Sequence, residues 1–280
     1  MPYQKRQRKV SVIMGIYNCA STLAEAIDSL LAQTFTDWEL IMCDDGSIDD
    51  TVAIAESYVE RFDNILLIRN EHNMGLPATL NHCLEYAESE YIARMDGDDI
   101  SLPERFAKEV YFLDEHLEYA LVSCSMVCFD ENGDWGVQGH KEEPQKKDFA
   151  YESPFCHAPC MMRRSVLNEI GNYTVREQLK RGQDYFLWHK FYCAGYKGYN
   201  LQEPLYKMRD DQNAADRRGT SLPFVKRVKS RYGRAKLQME IMHDLDLPRY
   251  YDILALRPIF VAMLPNSLYN MFHRMKMRQN

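Results

Sequence analysis

The stretch Glu90-Tyr91-Ile92-Ala93-Arg94-Met95-Asp96-Gly97-Asp98-Asp99-Ile100 is a short β-type run that ends in three carboxylates around one glycine. Three like charges within four residues repel one another unless a cation lies among them. Aspartate oxygens suit Mg²⁺ and Mn²⁺, so Asp96 and Asp98 are candidate metal ligands. The alternative is a solvated acidic turn that caps the next helix, because residues 101–104 are typical of a helix start.

Strand-like and helix-like segments alternate around this stretch. Apolar runs predict strands at residues 9–15, 38–43, 65–69 and 91–95, and periodic patterns predict helices at about 21–33, 51–61 and 76–86. Such alternation is typical of an α/β fold with a parallel sheet flanked by helices.

Polar side chains follow three of these predicted strands. Tyr17 follows the first, Asp44 and Asp45 follow the second, and Asp96 and Asp98 follow the fourth. Ligands of open α/β sheets bind at the carboxyl ends of strands, so these side chains are expected to converge on one crevice. A solvated loop explains each of them equally well alone, but their equivalent placement favours a shared site.

The rest of the chain continues with mixed elements. Helices are expected at about 103–116 and after Ser165, and Ser21 and Ser165 are the expected caps of their helices. Strands are expected at 119–130, 160–163 and 199–209, with a polar loop or short hairpin at 131–152. Asp184 falls in the first turn of a further helix, where dipole compensation alone would explain it. Helices at about 222–243, 249–263 and 266–276 end the chain.

Composition limits the function classes. No run of about 18 apolar residues predicts a membrane span, and the polar, basic start lacks the apolar core of a signal peptide. Eight scattered cysteines suggest reduced thiols in a cytosolic protein. Residues 224–280 hold eleven Lys/Arg and four Asp/Glu in a chain of net charge −7. A basic tail on an acidic body suggests an anionic partner: a membrane surface, nucleic acid or the body itself.

The motifs together resemble family 2 of the nucleotide-sugar glycosyltransferases, over about residues 9–215. The matching segments are 11–18, 43–51, 73–76 with 80–81, 91–99, 153–164, 183–188 and 206–212. Four positions depart from the family pattern: Gly15 stands where proline is usual, Ser153 where asparagine is frequent, and Arg209 where histidine is frequent, and Gln183 replaces a glutamate. An arginine at position 209 could contact a diphosphate directly.

The resemblance implies a GT-A fold with a single Rossmann-like, mostly parallel sheet and inversion at the anomeric carbon. It implies a glycosyltransferase domain at 1–220, with a nucleotide-sugar-binding half at about 9–100 and an acceptor-binding half at about 101–220. Residues 221–280 are expected to form a helical C-terminal extension.

The resemblance also implies a nucleotide-diphosphate sugar as donor, with UDP-sugars favoured, and Mn²⁺ or Mg²⁺ as cofactor. It assigns the general base to Asp184 and the metal to Asp98 with Asp96 close by, while Asp99 would do least and cap the following helix. The implied nucleotide-sugar contacts are Tyr17, Asp44, Asp45, Asn73, Arg94, Asp96 and Asp98. For Arg94, a salt bridge to the acidic cluster is an equally good explanation.

The acceptor is expected to be a glycan or a lipid-linked glycan, and nucleic acid is not an expected partner. His157 and Trp188 are candidate acceptor contacts because aromatic faces stack on sugars, although Trp188 would equally suit a helix core. The end of the chain, 265–280, is apolar on one face and basic on the other, as in helices that lie in a membrane interface. A cytoplasmic protein at the inner face of a membrane is therefore expected.

Two other functions compete with sugar transfer. A nucleotidyltransferase also places acidic residues at strand ends, but it usually has a basic glycine-rich loop after the first strand, which Gly15-Ile16-Tyr17-Asn18 is not. A non-catalytic nucleotide-sugar-binding protein would keep the fold, and Gln183 gives that alternative some support.

Overall fold

The computed structural model describes residues 6–175, 182–210 and 224–262. Its first half alternates strands and helices in the order β1 (Val10–Ile16), α1 (Leu23–Leu31), β2 (Trp38–Asp44), α2 (Thr51–Val59), β3 (Ile65–Arg69), α3 (Leu76–Tyr86) and β4 (Tyr91–Arg94). The alternation predicted from the apolar runs is confirmed.

The second half is mixed. Its elements are β5 (Ile100–Ser101), α4 (Arg105–Glu115), β6 (Leu121–Asp130), β7 (Gly133–Gln138), a 3-10 turn (Lys146–Ala150), β8 (Met161–Arg163), α5 (Arg164–Glu169), α6 (Gln183–Cys193) and β9 (Gly198–Arg209). The segment 131–152 thus contains a hairpin of β6 and β7, one of the two structures expected for it. The chain continues through α7 (Phe224–Asp244), a 3-10 turn (Arg249–Tyr251), α8 (Asp252–Ala255) and α9 (Arg257–Ala262).

Within the described residues, all nine strands join one sheet in the order β3-β2-β1-β4-β8-β6-β9-β5, and β7 pairs with β6. The strands β1, β2, β3, β4, β6 and β9 run in one direction, and β5, β7 and β8 run against them. The mostly parallel sheet is therefore confirmed. The antiparallel strand β8 joins the two halves, because it lies between β4 and β6.

Helices cover both faces of this sheet, and each face has its own apolar cluster. One is built on Val12, Met14 and Ile27, and the other on Ile13, Ile41 and Trp188. Burial on both faces explains why the parallel strands are near-continuous apolar runs.

Gly15 lies where α3 crosses the end of β1. A Cβ atom there would come within 3.0 Å of Leu76 Cδ1 and 3.2 Å of Thr79 Cγ2. The departure from the family's usual proline therefore accompanies a close approach between strand and helix.

Three predicted helix starts are wrong. Ser21 does not cap α1: the N-cap is Thr22, whose hydroxyl bonds the Gly97 carbonyl at 2.9 Å instead of the helix. Ser165 lies inside α5, whose N-cap is Arg163. Residues 101–104 do not begin a helix, because Ile100–Ser101 pairs with β9 and α4 begins only at Arg105.

The helix α7 packs back on the sheet domain. Ala235, Ile241 and Met242 are buried, and the Gln238 amide donates to the Phe149 carbonyl at 2.8 Å. None of the helices in the described ranges combines the length and the apolar character needed to cross a membrane. The predicted helix at 266–276, and with it the amphipathic end at 265–280, lies outside the described residues.

Candidate functional site

Three carboxylates converge in the turn after β4. Asp96, Asp98 and Asp99 each offer an oxygen, and these oxygens lie within 4.8 Å of one another. Asp96 and Asp98 are partly exposed, whereas Asp99 is buried. The donor set is all carboxylate oxygen, which is the chemistry that Mg²⁺ and Mn²⁺ prefer.

Arg94 balances part of this negative charge. Its guanidinium pairs with Asp96, and the side chain is buried. The Arg105 guanidinium donates to the Arg94 carbonyl at 2.9 Å and so fixes the strand just before the turn. Of the two explanations for Arg94, the structure shows the salt bridge to the acidic cluster.

Asp99 holds the turn to the last strand of the sheet. The Arg209 backbone N–H donates to its carboxylate at 2.8 Å, and Tyr206 also hydrogen-bonds it. Burial, followed by the charges of Asp96 and Asp98, raises the pKa of Asp99 well above its usual range. The prediction that Asp99 caps the next helix is wrong, because α4 begins six residues later with Glu104 as its N-cap.

The Arg209 guanidinium is held by the protein on three sides. Its Nε donates to the Asp98 carbonyl at 2.9 Å, its Nη2 pairs with Glu25, and its plane lies 4.5 Å from the Phe129 ring centre. These contacts orient the acidic turn from the far side of the sheet. In this structure the Asp98 carbonyl and Glu25 therefore engage the guanidinium nitrogens of Arg209 that were expected to contact a diphosphate.

Asp44 shapes the loop that follows β2. It is buried, and its carboxylate accepts the N–H groups of Gly46 and Ser47 at 3.2 Å. Gly46 has φ +82°, and an added Cβ would lie 3.2 Å from the Asn73 nitrogen. Glycine is therefore required at position 46 both for its backbone angle and for the close passage of a second loop.

Asp45 supports that second loop. Its carboxylate accepts the Asn70 amide and the Met74 N–H at 2.8 Å, and the Gly75 N–H at 2.9 Å. Three donors use most of the carboxylate's capacity. Asp45 therefore positions residues 70–75, and the exposed Asn73 lies on the loop so held.

Tyr17 lies at the carboxyl end of β1, beside the end of β2. Ile16 pairs with Asp44 across the two strands, and Tyr17 is half exposed. The next residue, Asn18, has a left-handed backbone (φ 48°) and bonds the following loop: its N–H donates to the Ser47 hydroxyl at 3.0 Å, and its side-chain oxygen accepts the Ile48 N–H at 2.9 Å. Tyr17, Asp44 and the acidic turn thus share one edge of the sheet, as predicted.

The second half contributes a buried phenol to this edge. The charges of Arg94, Asp184 and Asp96 all act on Tyr173, whose pKa is raised mainly by burial. Its hydroxyl lies 2.9 Å from His157 Nε2. Burial and the positive charge of Arg94 lower the pKa of His157 well below its usual range, so the imidazole stays neutral near pH 7. Asp184 lies, as predicted, in the first turn of α6, and it is partly exposed.

Asn81 anchors Tyr173. Its side-chain amide donates to the Tyr173 carbonyl at 2.8 Å, and its side-chain oxygen accepts the Tyr173 N–H at 3.0 Å. Neither residue was assigned a role from the sequence. Asn81 was recognisable as part of the 80–81 motif, but Tyr173 lies in an ordinary Gly-Asn-Tyr turn and carries no local signal.

Trp188 does not reach the crevice. It is fully buried, and its ring packs edge-on against Phe155 and His157 with centroids 5.3 and 5.8 Å apart. The prediction of an acceptor contact is therefore wrong for Trp188, because the ring has no surface to offer. It supports His157 from behind instead.

Comparison with known proteins agrees with this geometry. Residues 11–171 match the family described as Glycosyl transferase family 2. EpsE of Bacillus subtilis (strain 168), a protein named as a glycosyltransferase, is 42% identical over 267 residues, which is 95% of this chain and 93% of EpsE. A second relative is the UDP-Gal:alpha-D-GlcNAc-diphosphoundecaprenol beta-1,3-galactosyltransferase of Escherichia coli. It is 28% identical over 278 residues, which is 97% of this chain and 97% of that protein.

Solved structures share the fold. The crystal structure of S. aureus TarS 1–349 in complex with UDP-GlcNAc superposes with a TM-score of 0.67 at 21% identity, covering 91% of this chain and 72% of that one. The structure of the Pyrobaculum calidifontis mannosyltransferase PcManGT in complex with GDP-Man and Mn²⁺ superposes with a TM-score of 0.59 at 19% sequence identity. The match covers 99% of this chain and 82% of PcManGT. The GT-A fold expected from the sequence is confirmed.

Proposed function

Because this chain belongs to glycosyl transferase family 2, we propose that it transfers a sugar from a UDP-sugar to a hydroxyl of a glycan or lipid-linked glycan, with inversion, in the synthesis of a surface polysaccharide. The observation that carries the proposal is the convergence of Asp96, Asp98 and Asp99 on the sheet edge that also holds Asp44. The donor and acceptor classes are supported by the names of relatives, which include UDP-sugar transferases acting on diphosphoundecaprenol-linked GlcNAc.

The acidic cluster fits a divalent cation. Its oxygens are close enough to share one ion, and Arg94 and Arg209 neutralise only part of its charge. Asp98, with Asp96, would hold Mn²⁺ or Mg²⁺, and Asp99 would orient the turn. When bound, the cation would supply positive charge beside the diphosphate leaving group.

The loops after β1 and β2 would bind the nucleotide. Asp44 is the better partner for a uracil N–H, because Asp45 already accepts three donors in the 70–75 loop. Tyr17, half exposed beside it, would stack on the base. Asn73 projects from the loop fixed by Asp45 and would border the same pocket.

Asp184 would act as the general base. In an inverting displacement the acceptor oxygen forms a bond to the anomeric carbon while the bond from that carbon to the diphosphate oxygen breaks. The acceptor's proton then passes to Asp184, and UDP leaves. A base on α6, a helix of the second half of the chain, would suit attack on the face of the sugar opposite the leaving group. Gln183, which replaces the family's glutamate, does not remove this carboxylate.

His157 would contact the acceptor as a neutral imidazole. The Tyr173 hydroxyl lies 2.9 Å from His157 Nε2 and would fix the orientation of the ring for this contact. Membrane contact through residues 265–280, which lie outside the described residues, is part of the proposal. Deletion of 265–280 should lower binding to liposomes that contain anionic lipid, and unchanged binding would argue against this contact.

A donor panel tests the function. The protein is incubated with individual UDP-, GDP- and dTDP-sugars, Mn²⁺ and a polyprenyl-diphosphate GlcNAc acceptor, and nucleoside diphosphate and glycosylated lipid are measured. Release of UDP together with a product lengthened by one sugar supports the proposal, with Asp184→Asn as the inactive control. Release of pyrophosphate would instead indicate a nucleotidyltransferase, and binding of UDP-sugars without turnover would indicate a non-catalytic binding protein.

A further inference from the structure

A cavity separate from the candidate site lies at the opposite end of the sheet from the acidic turn. Its volume is about 510 Å³, and it is lined by the residues just before β6, the segment 143–147 and the turn between α6 and β9. Gly198, in its wall, begins β9, whereas Arg209, at the acidic turn, ends that strand. Strand geometry puts roughly 35 Å between those two positions, so the two sites are separate.

The cavity wall is positively charged. Lys146, Lys147 and Lys197 line it, against one carboxylate, that of Glu143. Glu143 is already engaged, since it accepts a hydrogen bond from Tyr119. Among the described residues, none forms an ion pair with any of the three lysines. Three lysines and one glutamate give this concave surface a net positive lining in a chain whose net charge is −7.

Aromatic rings form much of the remaining wall. Tyr119, Tyr192 and Tyr196 all line the cavity. Tyr196 is partly exposed, and its hydroxyl is held by Glu169 at 2.6 Å. Flat apolar faces beside cationic groups match a ligand that has both rings and negative charges.

The wall is fixed in place before any ligand binds. The Tyr192 hydroxyl donates to the Pro144 carbonyl at 2.7 Å, and the Asn200 N–H donates to the Glu142 carbonyl at 2.8 Å. Gln145 caps the 3-10 turn that carries Lys146 and Lys147, with its N–H bonded to Asp148 at 2.6 Å. A preorganised wall loses little conformational entropy on binding.

We propose that this cavity, lined by Lys146, Lys147, Lys197 and the three tyrosines, binds an anionic saccharide: sugar rings that bear carboxylate, sulfate or phosphate groups. The proposal goes beyond sugar transfer, because it concerns a site remote from the donor crevice. The lysines would neutralise the acidic substituents, and the partly exposed rings of Tyr119 and Tyr196 would pack on the sugar rings. An acidic segment of a protein partner would also neutralise the lysines. It is the weaker candidate, because it would leave the role of the aromatic rings unexplained.

Fluorescence anisotropy with a labelled heparin tetrasaccharide tests this site at low ionic strength. The variant Lys146→Gln/Lys147→Gln/Lys197→Gln should bind the probe about tenfold or more weakly than the unchanged chain. The matched control Lys226→Gln/Lys229→Gln/Lys236→Gln removes the same charge from exposed positions of α7 and should bind as the unchanged chain does. UDP binding in the presence of Mn²⁺ should be the same in all three proteins, which separates this site from the donor crevice.

Four results would overturn the proposal. The first is that the unchanged chain does not bind the tetrasaccharide, and the second is that the two triple variants lose the same affinity for it. The third is that the unchanged chain binds neutral maltotetraose as tightly as the tetrasaccharide. The fourth is that inorganic phosphate displaces the labelled probe as fully as the same concentration of unlabelled tetrasaccharide does. Equal losses would indicate diffuse attraction, and competition by phosphate would indicate a simple anion site.

Discussion

The backbone N–H of Arg209 donates to the carboxylate of Asp99 at 2.8 Å, although 110 positions separate the two residues. The end of β9 therefore holds the acidic turn after β4 from the other half of the sheet. Each carboxylate of the turn has its own surroundings: Asp96 pairs with Arg94, Asp99 is buried, and Asp98 is partly exposed. Different surroundings allow different roles, and the predictions for Asp98 and Arg209 depend on them.

Asp98→Ala should weaken UDP binding in the presence of Mn²⁺ by about 10–100-fold, because it removes the proposed metal ligand. The measurement is calorimetric titration with UDP, with and without EDTA. In EDTA the variant and the unchanged chain should bind equally weakly. The same UDP affinity for both proteins in Mn²⁺ would contradict the metal role.

Asp184→Asn should abolish transfer, with a loss of about 10²–10⁴-fold in rate, because the amide cannot accept the acceptor's proton. Metal-dependent UDP binding should persist, which calorimetry can check. Asp246→Asn is a suitable control, since it makes the same chemical change at an exposed left-handed position that asparagine also tolerates. If Asp184→Asn instead lost UDP binding, Asp184 would belong to the donor site.

Tyr173→Phe should raise the KM for the acceptor and lower kcat/KM about tenfold, because His157 would lose the partner that orients it. UDP binding should not change. Tyr192→Phe is the control for stability, because it also removes one hydrogen bond of a buried tyrosine, the bond to the Pro144 carbonyl. Its loss should lower the free energy of unfolding by about 1 kcal/mol. Equal kinetic losses in the two variants would mean that Tyr173 acts only on stability.

Arg209→Ala should lower the free energy of unfolding by about 1–3 kcal/mol, since it removes the bond to the Asp98 carbonyl and the contact with Phe129. Urea denaturation measures this change. Glu25→Gln weakens only a half-exposed pair and should cost about 0–1 kcal/mol. A fully stable Arg209→Ala protein with weakened UDP binding would show that Arg209 serves the diphosphate rather than the fold.

Glu109 should make stability depend on pH. Burial outweighs the neighbouring Arg105 and raises the pKa of Glu109 from 4.5 to about 7. The native state therefore holds this proton more tightly than the unfolded chain, and its contribution to the free energy of unfolding falls as pH rises from about 4.5 to 7. The contribution is on the order of 3 kcal/mol. Urea denaturation across that range should give a flatter dependence for Glu109→Gln, whereas Glu115→Gln, exposed on the same helix, should follow the unchanged chain.

The sequence predicted the parallel half of the fold well, because each of those strands is buried on both faces and forms a continuous apolar run. Strand β5 was missed, because two residues, Ile100 and Ser101, carry no pattern and pair with β9 only through the tertiary fold. The predicted cap of α1 was also wrong because of a tertiary contact. The residue at the N-cap is Thr22, and its hydroxyl bonds the Gly97 carbonyl rather than its own helix.

The sequence predicted which of the candidate residues lie at one edge of the sheet, but it did not predict the partners that these residues contact. The edge that gathers Tyr17, Asp44 and Asp98 follows from chain direction alone. That Asp45 binds a loop 25 to 30 positions away, or that Trp188 is buried behind His157, depends on packing between distant segments. Such contacts leave no periodic or local mark in a single sequence.

The paired hydrogen bonds between Asn81 and the Tyr173 backbone bear on how this enzyme can be recombined. They join α3, in the first half of the chain, to the segment after α5, in the second half, through one side chain and one main-chain unit. A chimera that exchanges residues 101–210 for those of a relative can therefore keep both bonds with a different side chain at position 173, because they use only the main chain there. It cannot do so without asparagine at position 81, because only a side chain with both a donor and an acceptor in that geometry fits the junction.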